Sequence, residues 1–148
     1  MHNIRLQLEN IQNEKLKQFN ERIVNTKYKV LGIKLDVLKR IAKENINLYE
    51  DYFKQNHIYY EEYMIHGFML GYLKKPFGEL IPYINDYIKL IDNWAMVDSI
   101  VSNLKILNKY ELEDLRALYK LDRSYSNYSK IAANVNRFSP KISEALRL

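Results

Sequence analysis

The segment YYEEYMIHGFMLGYL, residues 59–73, has a strong helical pattern. Its apolar and small residues recur every three or four positions, which is the period of an α-helix. Those that share one side of the helix are Tyr60, Met64, Gly67, Phe68 and Gly71. Because Gly67 and Gly71 lie four residues apart on one face, a neighbouring backbone can approach closely there. The segment therefore predicts a helix over Tyr59–Leu73 that packs tightly against another element.

Toward the amino terminus, the same period continues. One apolar stripe predicts a first helix over residues 4–23. A loop-like segment follows, in which Gly32 is the residue that tolerates a positive φ freely. A second helix is predicted from about Asp36 and a short one near residues 47–55.

Toward the carboxyl terminus, Pro76 and Pro82 are predicted to mark the next turn, because proline suits a first helical turn and not an interior. Asp92 and Asn93 are residues of the type that caps a helix beginning at Trp94. Helices are predicted over residues 80–91, 94–106, 111–121, 126–135 and 139–147. Paired helices with short connections predict an all-α fold of stacked antiparallel pairs, an α-solenoid, with an irregular bundle as the alternative.

Length and composition agree with one helical domain over residues 1–148. The chain has four Gly and three Pro, too few turn formers for a sandwich or barrel of many short strands. It has no Cys, which excludes disulfides and thiolate zinc sites and suits a reducing cytoplasm. No uncharged apolar run reaches the roughly 18 residues that a membrane span requires. We therefore expect a cytoplasmic protein that does not enter membranes.

Charge is distributed unevenly along the chain. Residues 1–50 carry ten Lys or Arg and six Asp or Glu, residues 51–100 carry four and seven, and residues 101–148 carry nine and five. Two basic segments therefore flank an acidic middle. This pattern would form a basic rim around a site, or it reflects ordinary solvated helix faces.

The segment IDNWAMVDS, residues 91–99, contains the only Trp of the chain. Trp94 and Asp98 are four residues apart, so on a helix they lie on the same face, one turn from each other. An indole face beside a carboxylate suits a planar cation, which both groups attract. A core tryptophan with a polar neighbour is the alternative interpretation.

Three segments, in order, resemble blocks of the DNA alkylation repair family, the HEAT-like-repeat DNA glycosylases of the AlkD type. The first is LGIK at residues 31–34 with LKRIAK at residues 38–43. The second is residues 59–72, and the third is residues 91–99 with NLK at residues 103–105. The resemblance covers about residues 15–106. Residues 107–148 are interpreted as divergent or as the end of a truncated member.

The resemblance implies stacked helix pairs whose basic concave face holds duplex DNA, and hydrolysis of the N-glycosidic bond to purines alkylated at N3 or N7. Such a purine is cationic and leaves as a neutral base, so the enzyme must stabilise positive charge on the deoxyribose. By this resemblance Trp94 packs against the lesion or its sugar, and Asp98 stabilises the oxocarbenium-like sugar and orients the water. The residues expected to contact DNA phosphates are Lys34, Lys39, Arg40 and Lys43. No metal or other cofactor is expected, and we expect a monomer.

Departures from the family pattern keep a second function open. Asp36 stands where the family usually has a proline. Residues 123–137 contain no aromatic-x-x-Arg motif, which the family places about one repeat after the aspartate. A non-catalytic helical module that binds DNA or protein is therefore the alternative. Residues 129–146 fit either a helix-turn-helix or a plain helical hairpin.

Other polar residues point less clearly to chemistry. His2, His57 and His66 lack ligand spacing and are expected at the surface or in packing. Glu61 and Glu62 are adjacent and cannot share a helix face, so they are not predicted to form a paired-carboxylate site.

Overall fold

A computed structural model describes residues 3–93, Ala95, Met96 and Ser99. In this part of the chain the backbone forms α-helices and one short 3-10 helix but no strand. The helices are α1 (Ile4–Asn10), α2 (Glu14–Ile23), α3 (Leu35–Glu44), a 3-10 helix (Ile46–Leu48), α4 (Tyr49–Lys54), α5 (Tyr60–Tyr72) and α6 (Phe77–Ile88). The predicted all-α class is confirmed for these residues. Stacking of helix pairs into a solenoid stays a prediction.

The helices predicted over residues 111–121, 126–135 and 139–147 lie outside the described residues, as do both interpretations of residues 129–146. Of the helix predicted over 94–106, the described residues Ala95, Met96 and Ser99 are helical. No helix within the described ranges is long and apolar enough to cross a membrane.

Helix α5 is the centre of the fold. Every residue from Tyr60 to Leu70 is buried, including both glutamates at its start. Helices α3, α4 and α6 pack against it. Helix α3 contributes Leu38, Ile41 and Ala42, none of which is exposed at all, and full burial of each large aliphatic side chain stabilises the fold by about 1.5–3 kcal/mol.

The predicted first helix over residues 4–23 is wrong in one respect, since the structure has two helices there. Asn13 starts the second helix as its N-cap, because its side-chain oxygen accepts a hydrogen bond from Leu16 N at 3.0 Å. The apolar stripe is buried before this break and more exposed after it. Helix α1 buries Ile4 and Leu8, whereas α2 buries no residue and leaves Phe19 about half exposed.

Gly32 has the positive φ that its position in the loop predicts, at 85°. The backbones of Asn13 and Lys17 lie directly where a Cβ would project. Glu61 holds this turn from the other side, since its carboxylate accepts Leu31 N at 2.9 Å and Gly32 N at 3.0 Å. The loop thereby joins α2 to α5.

Pro82 lies inside α6, whereas we predicted that it marks a turn. Pro76 alone has the predicted role, as the residue that precedes the first turn of α6. Pro82 is exposed, while Leu80, Ile84 and Tyr87 are buried with at most 1% exposure. Packing of these apolar side chains therefore holds the helix together despite the hydrogen bond that a proline cannot donate.

Candidate functional site

Trp94 and Asp98 lie outside the described residues, but their neighbours show how this segment is attached. Met96 and Ser99 are helical and buried, with 0% and 2% exposure. Asn93 is also buried, and its side-chain oxygen accepts a hydrogen bond from Met96 N at 3.0 Å. This is the bond of an N-cap, as predicted for Asn93.

Asp92, the other predicted cap residue, has a different role. Its carboxylate accepts the Thr26 hydroxyl at 2.8 and 3.0 Å and Lys27 N at 2.8 Å. The Asn93 side-chain nitrogen donates to it at 2.7 Å. Asp92 thus attaches the start of residues 91–99, which we call the Trp94 segment, to a loop about 66 residues earlier in the chain.

Gly67 allows the close approach that its place in α5 predicts. A Cβ there would collide with the Ser99 hydroxyl and with the Tyr87 hydroxyl. Ser99 Oγ donates to Met96 O at 2.7 Å. Tyr87 donates to Tyr63 O at 2.9 Å, and burial raises the pKa of its phenol. Ser99 and Tyr87 therefore pack directly against α5 at Gly67.

Tyr28 and Tyr63 join the loop that contains Thr26 to α5 and to the residues just before Asp92. The rings of Tyr28 and Tyr63 are stacked, with centroids 3.9 Å apart and planes inclined by 21°. The Tyr28 hydroxyl donates to Leu90 O at 2.7 Å. Burial, and then the nearby Tyr63 and Asp92, raise the pKa of Tyr28, so it stays a neutral donor.

The four side chains predicted to contact phosphates are all exposed on α3 or at its start, and they divide into two pairs. Lys39 and Lys43 form the first pair, one helical turn apart. Lys39 Nζ lies 5.6 Å from the ring centre of Phe68, and Lys43 Nζ lies 5.1 Å from that of Tyr72. Cation–π attraction of this kind holds both ammonium groups along the edge of α5.

Lys34 and Arg40 form the second pair, at a groove of about 560 Å³ between α2 and α3. Apolar side chains such as Phe19 and Val37 line this groove as well. Arg40 Nε lies 3.8 Å from a carboxylate oxygen of Glu44, with both side chains more than half exposed. Such an exposed pair leaves the guanidinium open to other anions.

The side chains of His57, before α5, and of His66, Glu61 and Glu62, within α5, belong to the interior. His57 Nε2 and His66 Nδ1 are 3.0 Å apart, and the ring of His66 stacks on Phe53 with centroids 4.1 Å apart, so both are packing histidines, as predicted. The carboxylates of Glu61 and Glu62 bind separate partners and form no paired site. Glu62 accepts Arg5 Nε at 3.1 Å with an exposure of only 1%.

Sequence reasoning missed Thr26 and Tyr28 as neighbours of the site, because nothing local in a loop indicates a partner more than sixty residues away. The cap-type pair Asp92 and Asn93 was the available indication that the segment needs anchoring. Among the described residues, no three His, Asp or Glu side chains are placed to hold a metal ion.

Comparison with known proteins gives one match. A family model described as DNA alkylation repair enzyme matches residues 4–142. The match extends beyond residues 15–106 at both ends, while the division of the chain at residue 106 stays a prediction. No curated protein and no solved structure matches the chain. Because the family model covers most of the 148 residues, this chain belongs to the DNA alkylation repair enzyme family.

Proposed function

We propose that this protein repairs alkylated duplex DNA by hydrolysing the N-glycosidic bond to cationic N3- or N7-alkylpurines. The family match over residues 4–142 carries the proposal. In our assignment Trp94 packs on the lesion, and Asp98 stabilises the oxocarbenium-like sugar and orients the attacking water.

The described neighbours of these two residues support the assignment. Met96 and Ser99 face the interior. On a helix that advances 100° per residue, positions 94 and 98 would each lie roughly 160–200° around the axis from Met96. Trp94 and Asp98 would therefore share the side opposite the core, where a bulky substrate such as DNA can reach them.

Hydrolysis of this bond requires few functional groups. An alkylated purine already carries the positive charge that a general acid would otherwise supply, so the bond breaks with departure of a neutral base. Positive charge then develops on the deoxyribose, and a fixed carboxylate stabilises it and accepts a proton from the water. We assign these tasks to one aspartate and one aromatic face.

The exposed cations of α3 supply the contacts to DNA. Lys39, Arg40 and Lys43 lie on this helix, and Lys34 lies directly before it. Lysine and arginine bind phosphate oxygens without regard to sequence. This suits a protein that searches duplex DNA for rare lesions.

Release of free base from a methylated duplex, measured by chromatography with enzyme in excess, tests the proposal. We expect the parent protein to release N3- or N7-methylpurine, and Asp98→Asn to lower the rate by about 10²–10³-fold. Asp86→Asn, the same change at an exposed position on α6, is the matched control and keeps the parent rate. No release by the parent protein would rule out the glycosylase.

The missing aromatic-x-x-Arg motif in residues 123–137 favours one alternative, a module that binds DNA without hydrolysis. Binding titrations of the same duplex separate the two functions. Salt-sensitive binding with no base released supports the module, whereas base release supports the enzyme.

A further inference from the structure

The carboxylate of Asp92 joins two parts of the chain. Thr26 and Lys27 donate to it from the loop after α2, and Asn93 donates to it from the start of the Trp94 segment. We call Thr26, Lys27, Asp92 and Asn93 the Asp92 clasp. Both carboxylate oxygens accept hydrogen bonds at 2.7–3.0 Å, so this group is engaged in structure and is not placed to act as a base.

Asn93 connects the Asp92 clasp to the helix that follows it. Its side-chain nitrogen donates to Asp92 at 2.7 Å, and its oxygen accepts Met96 N at 3.0 Å. Because the amide is bound at both ends, its orientation is fixed by Asp92. The first turn of the helix after Asn93 is thereby fixed as well.

The loop side of the clasp is equally constrained. Thr26 Oγ1 donates to Asp92 and accepts Tyr28 N at 3.1 Å. Tyr28 stacks on Tyr63 of α5 and donates to Leu90 O. Asp92 is therefore held by a loop that is itself attached to the central helix.

We propose that Asp92, Thr26 and Asn93 are positioning residues that fix the helix start carrying Trp94 and Asp98. In this proposal the clasp fixes the Asn93 end of that helix relative to α5. The catalytic part of the inference rests on the proposed glycosylase function. The positional part does not, because it concerns where Trp94 lies in the free protein.

The single tryptophan makes the positional part measurable. Excitation at the red edge of the absorption band avoids the 13 Tyr and reports on Trp94 alone. Thr26→Val removes the hydroxyl without changing the shape of the side chain, and Asp92→Asn places an amide nitrogen against donors. We expect the steady-state fluorescence anisotropy of Trp94 to fall in both variants, because a helix end without its bonds gains local mobility.

The same variants are also assayed for base release. We expect kcat for base release to fall by about 10–100-fold in Thr26→Val and Asp92→Asn, with KM changed little, because a displacement of about 1 Å has this effect on catalysis. Thr26→Ser restores the hydroxyl and returns both the anisotropy of Trp94 and kcat toward the parent values. Asp86→Asn on α6 controls for loss of a carboxylate.

Circular dichroism at the assay temperature ensures that only folded variants are compared. If Asp92→Asn does not fold, the pair Thr26→Val and Thr26→Ser decides. Parent-like anisotropy of Trp94 in a folded Thr26→Val variant overturns the inference. If the parent releases no base, the proposed function fails, but the anisotropy result still supports or overturns the clasp.

Discussion

Gly32 shows how much one residue contributes to this fold. Its φ of 85° belongs to the left-handed region, and the backbones of Asn13 and Lys17 occupy the space of a side chain. Its N–H and that of Leu31 are bound by Glu61, which is fully buried. The contact of α2 with the rest of the molecule therefore depends on the absence of a Cβ.

We expect Gly32→Ala to lower the free energy of unfolding by about 2–4 kcal/mol, the combined cost of the left-handed backbone and of displacing two main chains. Urea unfolding followed by circular dichroism measures the change. Gly32→Asn separates the two causes, because asparagine tolerates a positive φ but carries the same Cβ. Unfolding within 0.5 kcal/mol of the parent for Gly32→Ala would contradict the packing described above.

At the scale of elements, the sequence predicted those helices whose pattern is set by burial. Helices α3 and α5 appear close to their predicted positions because their apolar spacing matches a buried face or a buried cylinder. The break at Asn13 was missed, because an asparagine that caps a helix looks the same in sequence as one within a helix. The prediction for Pro82 was wrong for a different reason. Proline disfavours the interior of a helix, but tertiary packing of α6 outweighs this local preference.

The candidate site was predictable in part. The capping role of Asn93 is local and visible in sequence, whereas the roles of Trp94 and Asp98 stay predictions. The bonds of Asp92 to Thr26 and Lys27, and the stack of Tyr28 on Tyr63, join segments far apart in the chain. Such pairs follow from the folded arrangement and leave no periodicity to detect.

Helix α3 carries a prediction about DNA binding. If Lys39 and Lys43 each contact one phosphate, the double variant Lys39→Gln, Lys43→Gln should reduce the slope of log K against log salt by about 1.8. Fluorescence anisotropy of a labelled duplex at several salt concentrations measures this slope. Lys54→Gln, a single exposed lysine at the end of α4, tests whether any lost charge has the same effect. A slope unchanged in the double variant would remove Lys39 and Lys43 from the DNA interface.

For the molecule as a whole, the buried histidines set a limit on stability in acid. Burial lowers the pKa of His57 to about 4, an effect that Glu62 opposes and Arg5 reinforces. Burial and the neighbouring His57 also lower the pKa of His66. Because the unfolded chain takes up these protons near pH 6.5 and the folded chain does not, acidification favours unfolding from pH 6.5 down to about 4.

We expect His57 alone to reduce the free energy of unfolding by about 2 kcal/mol between pH 7.5 and pH 5. Burial raises the pKa of Glu61, which acts in the opposite sense because the fold then takes up a proton more readily than the unfolded chain. Urea unfolding at a series of pH values, compared with the variant His57→Gln, His66→Gln, isolates the histidine part. An equal pH dependence in both proteins would show that the histidines do not cause it.

The long loop that the Asp92 clasp closes has a consequence for synthesis in the cell. Thr26 leaves the ribosome 66 residues before its partner Asp92, a delay of roughly 3–13 s at ordinary rates of translation. The bonds of Glu61 to Leu31 span only 30 residues and are complete earlier. We therefore expect the nascent chain to assemble α5 on the amino-terminal helices first. The helix that begins after Asn93 is then added to a surface that is already formed.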